Sequence, residues 1–338
     1  TPPMSKMPVR RTRLAPSPTG ALHLGNARTF ALTWALARNQ GWEIMLRMED
    51  LDGPRVRDGA VEATLDVLRW LGLDWDGHVR QQSQDLAPYR SALERLGNAV
   101  FRCERSRKDV RSAASAPHRD DGESRFPPSL RPEQRALQGW TDGADHVNYR
   151  LLVDPANVPV HDELHDELCG AQGFDPGAEV GDFLVWTKLG VPSYQLAVVV
   201  DDLAQGITDV VRGDDLLPSA ARQLLLRRLL WSDQHSGPGP DASVRWWHLP
   251  LVYGPDGRRL AKRQDATSLE SLRNAGVSQE RVLGLLAWWS GFTDRPVPCS
   301  LSTFRQYVTP DTLRQLTQRE RAPGGQRIAS EECLAWLR

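Results

Sequence analysis

The 338-residue sequence predicts an α/β fold: a Rossmann-like catalytic domain with an inserted subdomain and a short helical C-terminal stem. Strand and helix patterns alternate near the start, with strands expected at residues 9–15 and 42–48 and a helix at 26–39 between them. Further on, apolar residues run without alternation at 182–187 and 194–200. Such runs are typical of strands buried on both faces of a parallel sheet.

The first junction extends from Arg13 to Asn26 and has the pattern of strand, loop and helix N-terminus. Backbone N–H groups and the positive end of the helix would meet at one point there, which favours phosphate binding. His23 in this loop can also donate a hydrogen bond to a phosphoryl oxygen. Taken alone, the pattern is equally compatible with an α/β protein that binds no nucleotide.

The remaining elements follow in order. Glu49 and Asp50 come directly after the second strand, at the strand end where ligand-binding groups gather in open α/β sheets. Helices are predicted at 56–71, 86–98, 216–231, 268–275 and 278–289, and further strands at 147–153 and 209–212. The last forty or so residues are weakly patterned. The expected divisions are the two catalytic halves at 9–103 and 147–231, the insertion at 104–146 with a flexible loop at 112–128, a linker at 232–242, and the stem region at 243–338.

Composition limits the function only weakly. Lys and Arg number 42 and Asp and Glu 43, so the net charge of −1 does not identify a nucleic-acid partner. RNA binding would need local basic patches at 102–108, 222–228 or 258–263, and each could instead be a solvated helix face. The four cysteines are widely spaced, and neither a signal sequence nor a membrane-spanning run is evident. We therefore expect a cytoplasmic protein, with no membrane partner, that acts as a monomer.

A second motif, Arg259-Leu-Ala-Lys262-Arg263, lies far downstream of the first. Together the two resemble the paired signature motifs of class I aminoacyl-tRNA synthetases, and Arg-x-Ala-Pro-Ser-Pro-Thr-Gly-x-Leu-His resembles the glutamyl subgroup. The resemblance implies amino-acid activation by ATP with external Mg²⁺, and it assigns catalysis to His23 and Lys262. It places ATP against His23, Gly25, Asn26, Leu260, Lys262 and Arg263.

The second motif departs from the family pattern at its centre. Ala261 stands where serine is usual, Arg259 replaces the first lysine, and Asn26 replaces the second histidine of the first motif. Lys262, which corresponds to the catalytic lysine, is retained.

The resemblance also implies an acidic amino-acid substrate, L-glutamate, bound by Arg13, Ala15, Ser17, Glu49, Tyr194 and Arg212. The chemistry agrees, because a ligand with two carboxylates and one ammonium suits two guanidinium groups and one carboxylate. An ordinary alternative is that Arg13 and Arg212 form structural salt bridges with Asp50 and Asp214. Likewise, Tyr194 could be a core tyrosine.

Many bacterial members of the subgroup bind zinc in the insertion through Cys-x-Cys and a later Tyr-x-x-x-Cys. Here only Cys103 matches, because Arg105 replaces the second cysteine and Phe126-Pro-Pro-Ser-Leu130 stands near the remaining positions. One thiolate does not make a tetrahedral site, so we predict no structural zinc.

Only 75 residues follow Arg263, fewer than the anticodon-binding domain of glutamyl-tRNA synthetases requires. The chain thus resembles glutamyl-Q tRNA(Asp) synthetases, which implies activation of glutamate without tRNA and transfer to the queuosine base of tRNA(Asp). Three alternatives stay open: a truncated glutamyl-tRNA synthetase that charges the 3′ end of tRNA(Glu), a small-molecule nucleotidyltransferase or ligase, and a non-catalytic tRNA-binding paralogue.

Overall fold

The computed structural model describes residues 9–52, 56–105, 125–132, 146–154, 158–159, 161–231, 239, 241, 243–260 and 268–337. The strands are β1 (Arg11–Leu14), β2 (Glu43–Met48), β3 (Arg80–Gln81), β4 (Val100–Cys103), β5 (Asn148–Leu151), β6 (Asp162–Asp166), β7 (Gly170–Phe174), β8 (Phe183–Trp186), β9 (Asp209–Gly213), β10 (Arg245–Leu249), β11 (Val252–Tyr253) and β12 (Arg327–Ile328). The α-helices are α1 (Leu24–Gln40), α2 (Ala60–Trp70), α3 (Ala87–Leu96), α4 (Tyr194–Ala204), α5 (Leu217–Leu230), α6 (Leu269–Asn274), α7 (Gln279–Trp289), α8 (Leu301–Tyr307), α9 (Pro310–Arg321) and α10 (Glu331–Ala335).

Parallel strands form the frame of the fold. β2 pairs with β1 and β3, and β10 pairs with β9 and β6, all in parallel. The two groups adjoin where the Thr208 N–H donates to the Arg11 carbonyl oxygen (3.0 Å). β7 adds an antiparallel hairpin to β6, and β4, β5 and β8 form a separate antiparallel sheet. The α/β class is therefore confirmed, with the carboxyl ends of β1, β2, β9 and β10 directed toward one region.

Helix α1 lies on this frame and begins at the first motif. His23 caps its N-terminus, and Gly41 ends it with a positive φ of 67°, a conformation that glycine adopts without steric strain. Ala27, Ala31 and Ala35 are fully buried, so the helix packs closely against the sheet. This close packing fixes the position of its N-terminus beside the strand ends.

One prediction about secondary structure is wrong. Residues 194–200, expected as a strand, belong to helix α4, whose N-cap Ser193 accepts the N–H of Leu196 (3.4 Å). The run of Leu196 to Val200 is buried throughout, and a fully buried run has no helix or strand periodicity that would tell the two apart. Asp201 and Asp202 also lie inside α4, and their side chains are buried.

The C-terminal stem is helical, as predicted, and its anchor is a buried ion pair. Arg28 of α1 donates to Glu320 of α9 (2.7 Å), and both side chains are almost fully buried. Arg28 also donates to Ser290 Oγ (3.2 Å) and to the carbonyl oxygen of Pro250 (3.2 Å). A single side chain thus joins α1, the loop after β10 and the stem.

Two sequence predictions fall largely outside the described residues: the flexible loop at 112–128 and the linker at 232–242. Within the part of the chain that the structure describes, no helix has the length and apolar character needed to cross a bilayer.

Candidate active site

A cavity of about 660 Å³ opens at the carboxyl ends of the parallel strands. Most of the residues that the sequence assigned to glutamate or ATP line this one space: Arg13, Ala15, His23, Gly25, Asn26, Glu49, Tyr194, Arg212 and Leu260. Residues more than two hundred positions apart in the sequence are therefore neighbours here. The fold therefore brings these predicted side chains together around one cavity.

Three predicted residues remain. Ser17 is exposed on the loop after β1. Lys262 and Arg263 lie outside the described residues. The chain on both sides of them is tied to the site, because the Leu260 N–H donates to the Val252 carbonyl (2.9 Å) and the Leu269 N–H to the Leu22 carbonyl (2.9 Å).

The first motif forms a capped helix terminus. His23 Nδ1 accepts the Gly25 N–H (3.1 Å), and the His23 N–H donates to Asn26 Oδ1 (3.4 Å), so the two side chains form a reciprocal cap. Since Nδ1 is an acceptor, the neutral ring carries its proton on Nε2. A Cβ at Gly25 would lie 3.0 Å from the His23 ring, so a larger residue there would crowd the imidazole.

Arg13, at the end of β1, is held by the inside of the protein. Its side chain is 4% exposed, and its Nε donates to Asp202 (3.2 Å) and Nη1 to the Val211 carbonyl oxygen (3.3 Å). Burial alone would raise the pKa of Asp202, but Arg13 and Arg47 lower it below its usual value. Asp202 therefore stays ionised and orients a guanidinium that lines the cavity.

Glu49 follows β2 and faces the same cavity. Its backbone N–H donates to the Pro16 carbonyl oxygen (3.0 Å), and its Oε1 accepts from Nη2 of the fully buried Arg47 (3.2 Å). Burial raises the pKa of Glu49 although Arg47 and Arg13 oppose the shift. The site thus presents one carboxylate between guanidinium groups, a pattern that suits an ammonium group flanked by carboxylates.

Arg212, near the end of β9, is 5% exposed. Its Nε donates to His248 Nε2 (3.0 Å), its Nη1 to Gln223 Oε1 (2.7 Å) and its Nη2 to the Leu216 carbonyl oxygen (3.1 Å). A guanidinium has five N–H groups, so these contacts leave two on the cavity side, where the Tyr194 hydroxyl is a further hydrogen-bond partner. Burial lowers the pKa of Arg212, although nearby Tyr194 and Asp202 oppose the shift.

The alternative in which Asp50 and Asp214 hold the two arginines names the wrong partners. Arg13 does form a buried salt bridge, but with Asp202, and the described contacts of Arg212 are with His248, Gln223 and Leu216. Asp50 instead accepts hydrogen bonds from Gln81 Nε2 (2.7 Å) and the Ser83 N–H (2.8 Å). The core alternative for Tyr194 is wrong as well, because this side chain is 39% exposed at the N-terminus of α4 and lines the cavity.

Sequence reasoning missed the residues that support the site from behind. Asp202, Gln223 and His248 carry no motif, and each contacts a cavity-lining arginine from a different element. Sequence reasoning also missed Asp215, which, unlike these three residues, lines the cavity itself and pairs with Arg259. Its position three residues after Arg212, at a strand end, is the one signal that could have identified it.

The three basic patches differ in the structure. Arg222 and Arg227 of the 222–228 patch are buried, so this patch is neither an RNA-binding surface nor a solvated helix face. Arg258 and Arg259 are exposed beside the cavity, and the rest of the 258–263 patch beyond Leu260 lies outside the described residues. The 102–108 patch is described only as far as residue 105.

Cys103, the one retained zinc-ligand position, is buried in a small cluster with Phe101 and Phe126. Among the described residues, no three His, Cys, Asp or Glu side chains are grouped as metal ligands. The described part of the insertion is too short to test the zinc prediction, which stays a prediction for elemental analysis.

Several known proteins are similar to this chain. The family model of the catalytic domain of class I tRNA synthetases (E and Q) matches residues 9–294. The glutamyl-Q tRNA(Asp) synthetase of Symbiobacterium thermophilum is 42% identical, covering 85% of this chain and 88% of the relative. That of Geobacter sulfurreducens is 43% identical over 81% of this chain and 82% of the relative. A glutamate–tRNA ligase of Synechococcus is 36% identical over 82% of this chain and 58% of the ligase.

Among solved structures, the crystal structure of glutamate–tRNA synthetase from Elizabethkingia anophelis superimposes with a TM-score of 0.73. The superposition covers 97% of the present chain and 70% of the Elizabethkingia chain. The two sequences are 21% identical, and the superposition establishes a shared fold. The family match extends over most of the sequence, including every described residue that lines the cavity. The chain belongs to the class I tRNA synthetases for glutamate and glutamine, in the group of relatives named glutamyl-Q tRNA(Asp) synthetase.

Proposed function

We propose that this protein activates L-glutamate with ATP in the absence of tRNA and then transfers glutamate to the queuosine base of tRNA(Asp). The observation that carries the first step is the cavity, where Arg13, Arg212 and Glu49 lie opposite the capped terminus of α1. The names of the relatives that are 39–43% identical carry the second step.

In the first step, an α-carboxylate oxygen of glutamate attacks the α-phosphorus of ATP. The bond from that phosphorus to the pyrophosphate oxygen breaks, which gives glutamyl-adenylate and pyrophosphate. Negative charge grows on the phosphate oxygens, and His23 Nε2–H, the amides at the start of α1 and Lys262 stabilise it. Mg²⁺ bound to the ATP phosphates would supply further positive charge there.

Substrate recognition follows from the charges. Arg13 and Arg212 bind the two carboxylates of glutamate, Glu49 binds the ammonium group, and Tyr194 donates its hydroxyl. Ala15 and Ser17 complete the glutamate site from the loop after β1, and Gly25, Asn26, Leu260 and Arg263 contact ATP. Glutamine would lose one charge-assisted pair, so discrimination against it is strong.

In the second step, a hydroxyl oxygen of the queuosine cyclopentenediol attacks the acyl carbon of the adenylate. The bond from the acyl carbon to the phosphate oxygen breaks, and AMP leaves. The hydroxyl proton passes to solvent or to the departing phosphate. The product is a glutamyl ester on the modified base.

The test has two parts. ATP–pyrophosphate exchange without tRNA should depend on glutamate, and the Lys262→Ala variant should lose it. If no exchange occurs, or if the Lys262→Ala variant retains it, the proposed first step is wrong. Exchange with other acids in place of glutamate would instead identify a small-molecule ligase, and tight tRNA binding without any exchange would identify a non-catalytic paralogue.

A second candidate is suggested by the 36% identity to a glutamate–tRNA ligase. In that case labelled glutamate would appear at the 3′ end of tRNA(Glu), whereas we expect it on tRNA(Asp) that contains queuosine. We also propose that the protein acts as a monomer in the cytoplasm, which light scattering of the purified protein and cell fractionation would test.

A further inference from the structure

Three adjacent strands bring a row of polar side chains together behind Arg212. Arg212 of β9 is the register partner of His248 of β10, and Asp166, the last residue of β6, is the register partner of Trp246. Trp246 and His248 are two positions apart on one strand, so their side chains lie on the same face. The order Asp166, His248, Arg212 therefore follows from the order of the strands.

The contacts in this row determine where the protons are. His248 Nδ1 lies 2.6 Å from Asp166 Oδ2, and Arg212 Nε lies 3.0 Å from His248 Nε2. Arginine can only donate hydrogen bonds, so His248 Nε2 must offer a lone pair. The imidazole proton is then on Nδ1, where it is donated to Asp166.

Burial supports this assignment. His248 is 0% exposed and Asp166 is 1% exposed. Burial lowers the pKa of His248 to about 4 although Asp166 opposes the shift, so the ring is neutral near pH 7. Burial would raise the pKa of Asp166, but His248 and the N–H groups of Cys169 and Leu168 lower it, so Asp166 is ionised.

The same row leaves Arg212 with a single orientation. Its Nε is held by His248, Trp246 lies against the guanidinium at 5.2 Å from the ring centroid, and Gln223 and Leu216 each accept one N–H. Two N–H groups remain for the cavity that Arg212 lines. The orientation of Arg212 therefore depends on which nitrogen of His248 carries the proton.

We propose that Asp166 and His248 are positioning residues for glutamate recognition: Asp166 fixes the His248 tautomer, which holds Arg212 with its remaining N–H groups toward a substrate carboxylate. This inference rests on the proposed role of Arg212 in glutamate binding. Neither Asp166 nor His248 is among the residues that line the cavity, and both act through Arg212.

The sharpest test is Asp166→Asn. Oδ1 of Asp166 accepts the N–H groups of Leu168 (2.9 Å) and Cys169 (2.8 Å), and an asparagine oxygen can keep both contacts. The amide nitrogen then faces His248 Nδ1 and donates to it, so the ring proton moves to Nε2 and opposes the N–H of Arg212 Nε. The KM for glutamate in ATP–pyrophosphate exchange should rise on the order of tenfold or more, while the KM for ATP stays the same.

Substitutions at His248 provide an independent test. The Gln variant carries an oxygen that can accept the N–H of Arg212 Nε, whereas the Leu variant has none. His248→Gln should therefore retain a lower KM for glutamate than His248→Leu. A role in packing alone predicts that the two variants share one KM or that the apolar Leu variant is the better enzyme, and either result would overturn the proposal.

The Arg212→Lys variant separates the possible failures. If it leaves the KM for glutamate unchanged, the proposed role of Arg212 is wrong. If it raises this KM while Asp166→Asn does not, glutamate binding by Arg212 stands and the positioning role is overturned. The proposal predicts that Asp166→Asn has an effect in the parent enzyme and none in the Arg212→Lys background, because both changes disturb the same contact. Equal melting temperatures confirm that the compared variants are folded.

Discussion

His23 has two separate tasks on one ring. Its Nδ1 caps α1 through the Gly25 N–H, and this contact leaves the proton on Nε2, the nitrogen that can donate to phosphate. The cap stabilises the helix, whereas in the proposed mechanism the donor acts on the charge that develops during adenylate formation. Substitutions can therefore separate stability from rate.

We predict that His23→Ala lowers kcat for glutamate-dependent exchange about 100-fold and unfolding stability by about 1 kcal/mol, because it removes both donor and cap. His23→Asn is the matched control, since asparagine is a good N-cap. It should restore the stability measured by urea denaturation but not the rate. A fully active His23→Asn variant would show that Nε2 takes no part in catalysis.

Glu49 gives the site a predicted pH dependence. Burial raises the pKa of Glu49. As the pH falls, this side chain therefore becomes protonated and loses its negative charge sooner than an ordinary glutamate does. Since the charged form binds the substrate ammonium in the proposed site, the KM for glutamate should rise as the pH falls through this raised pKa. The test is to measure the KM for glutamate at decreasing pH, starting at pH 8. The series should stop above about pH 4.3, because the side chain of the substrate itself titrates there.

Two variants control the pH prediction. Glu49→Gln should have a high KM without this pH dependence. Asp214 lies beside the site in a second cavity of about 850 Å³, and burial raises its pKa to about 6. Asp214→Asn should therefore keep the dependence. If Asp214→Asn removes it instead, Glu49 is not the titrating group.

At the scale of single residues, sequence reasoning identified most of the side chains that face the cavity, although not Asp215, and none of those behind them. Arg13, Glu49 and Arg212 fall in motifs or at strand ends, where position alone suggests a ligand. Asp202 and His248 lie within an apolar helix and an apolar strand, and their partners are distant in the sequence. Long-range pairing of this kind leaves no local pattern.

At the scale of elements, α4 shows where periodicity fails. Its apolar stretch is buried on all sides, and the signals that favour a helix are the Ser193 cap and the position of Pro192 before it. The helix matters for function because it carries Tyr194 at its start and Asp202 near its end. As a strand, the same residues would not have placed Asp202 against Arg13 and Arg47.

The C-terminal stem depends on its buried ion pair. We predict that Glu320→Ala lowers the free energy of unfolding by about 3–5 kcal/mol, because it leaves the Arg28 charge buried without its carboxylate. Urea denaturation measures this loss. The control is Asp311→Ala in the same helix, where the pair with Arg314 is exposed and worth less than about 1 kcal/mol. Equal losses in the two variants would contradict the account.

At the scale of the whole molecule, the sequence predicts the α/β class and the meeting of its motifs, because parallel strands direct their carboxyl ends to one edge. The strand order could not be predicted. β10 lies between β9 and β6, although 78 residues lie between Asp166 and Arg245. That order creates the Asp166–His248–Arg212 row, so the support of the site is a property of the tertiary fold.

In the proposed reaction, an adenylate site for glutamate serves an acceptor on tRNA(Asp). The most direct test is the transfer of labelled glutamate by the purified protein to tRNA(Asp) with queuosine, tRNA(Asp) without queuosine, and tRNA(Glu). We predict label on the first tRNA alone, retained after nuclease removal of the 3′ end. Label on tRNA(Glu), or on tRNA(Asp) regardless of queuosine, would contradict the account.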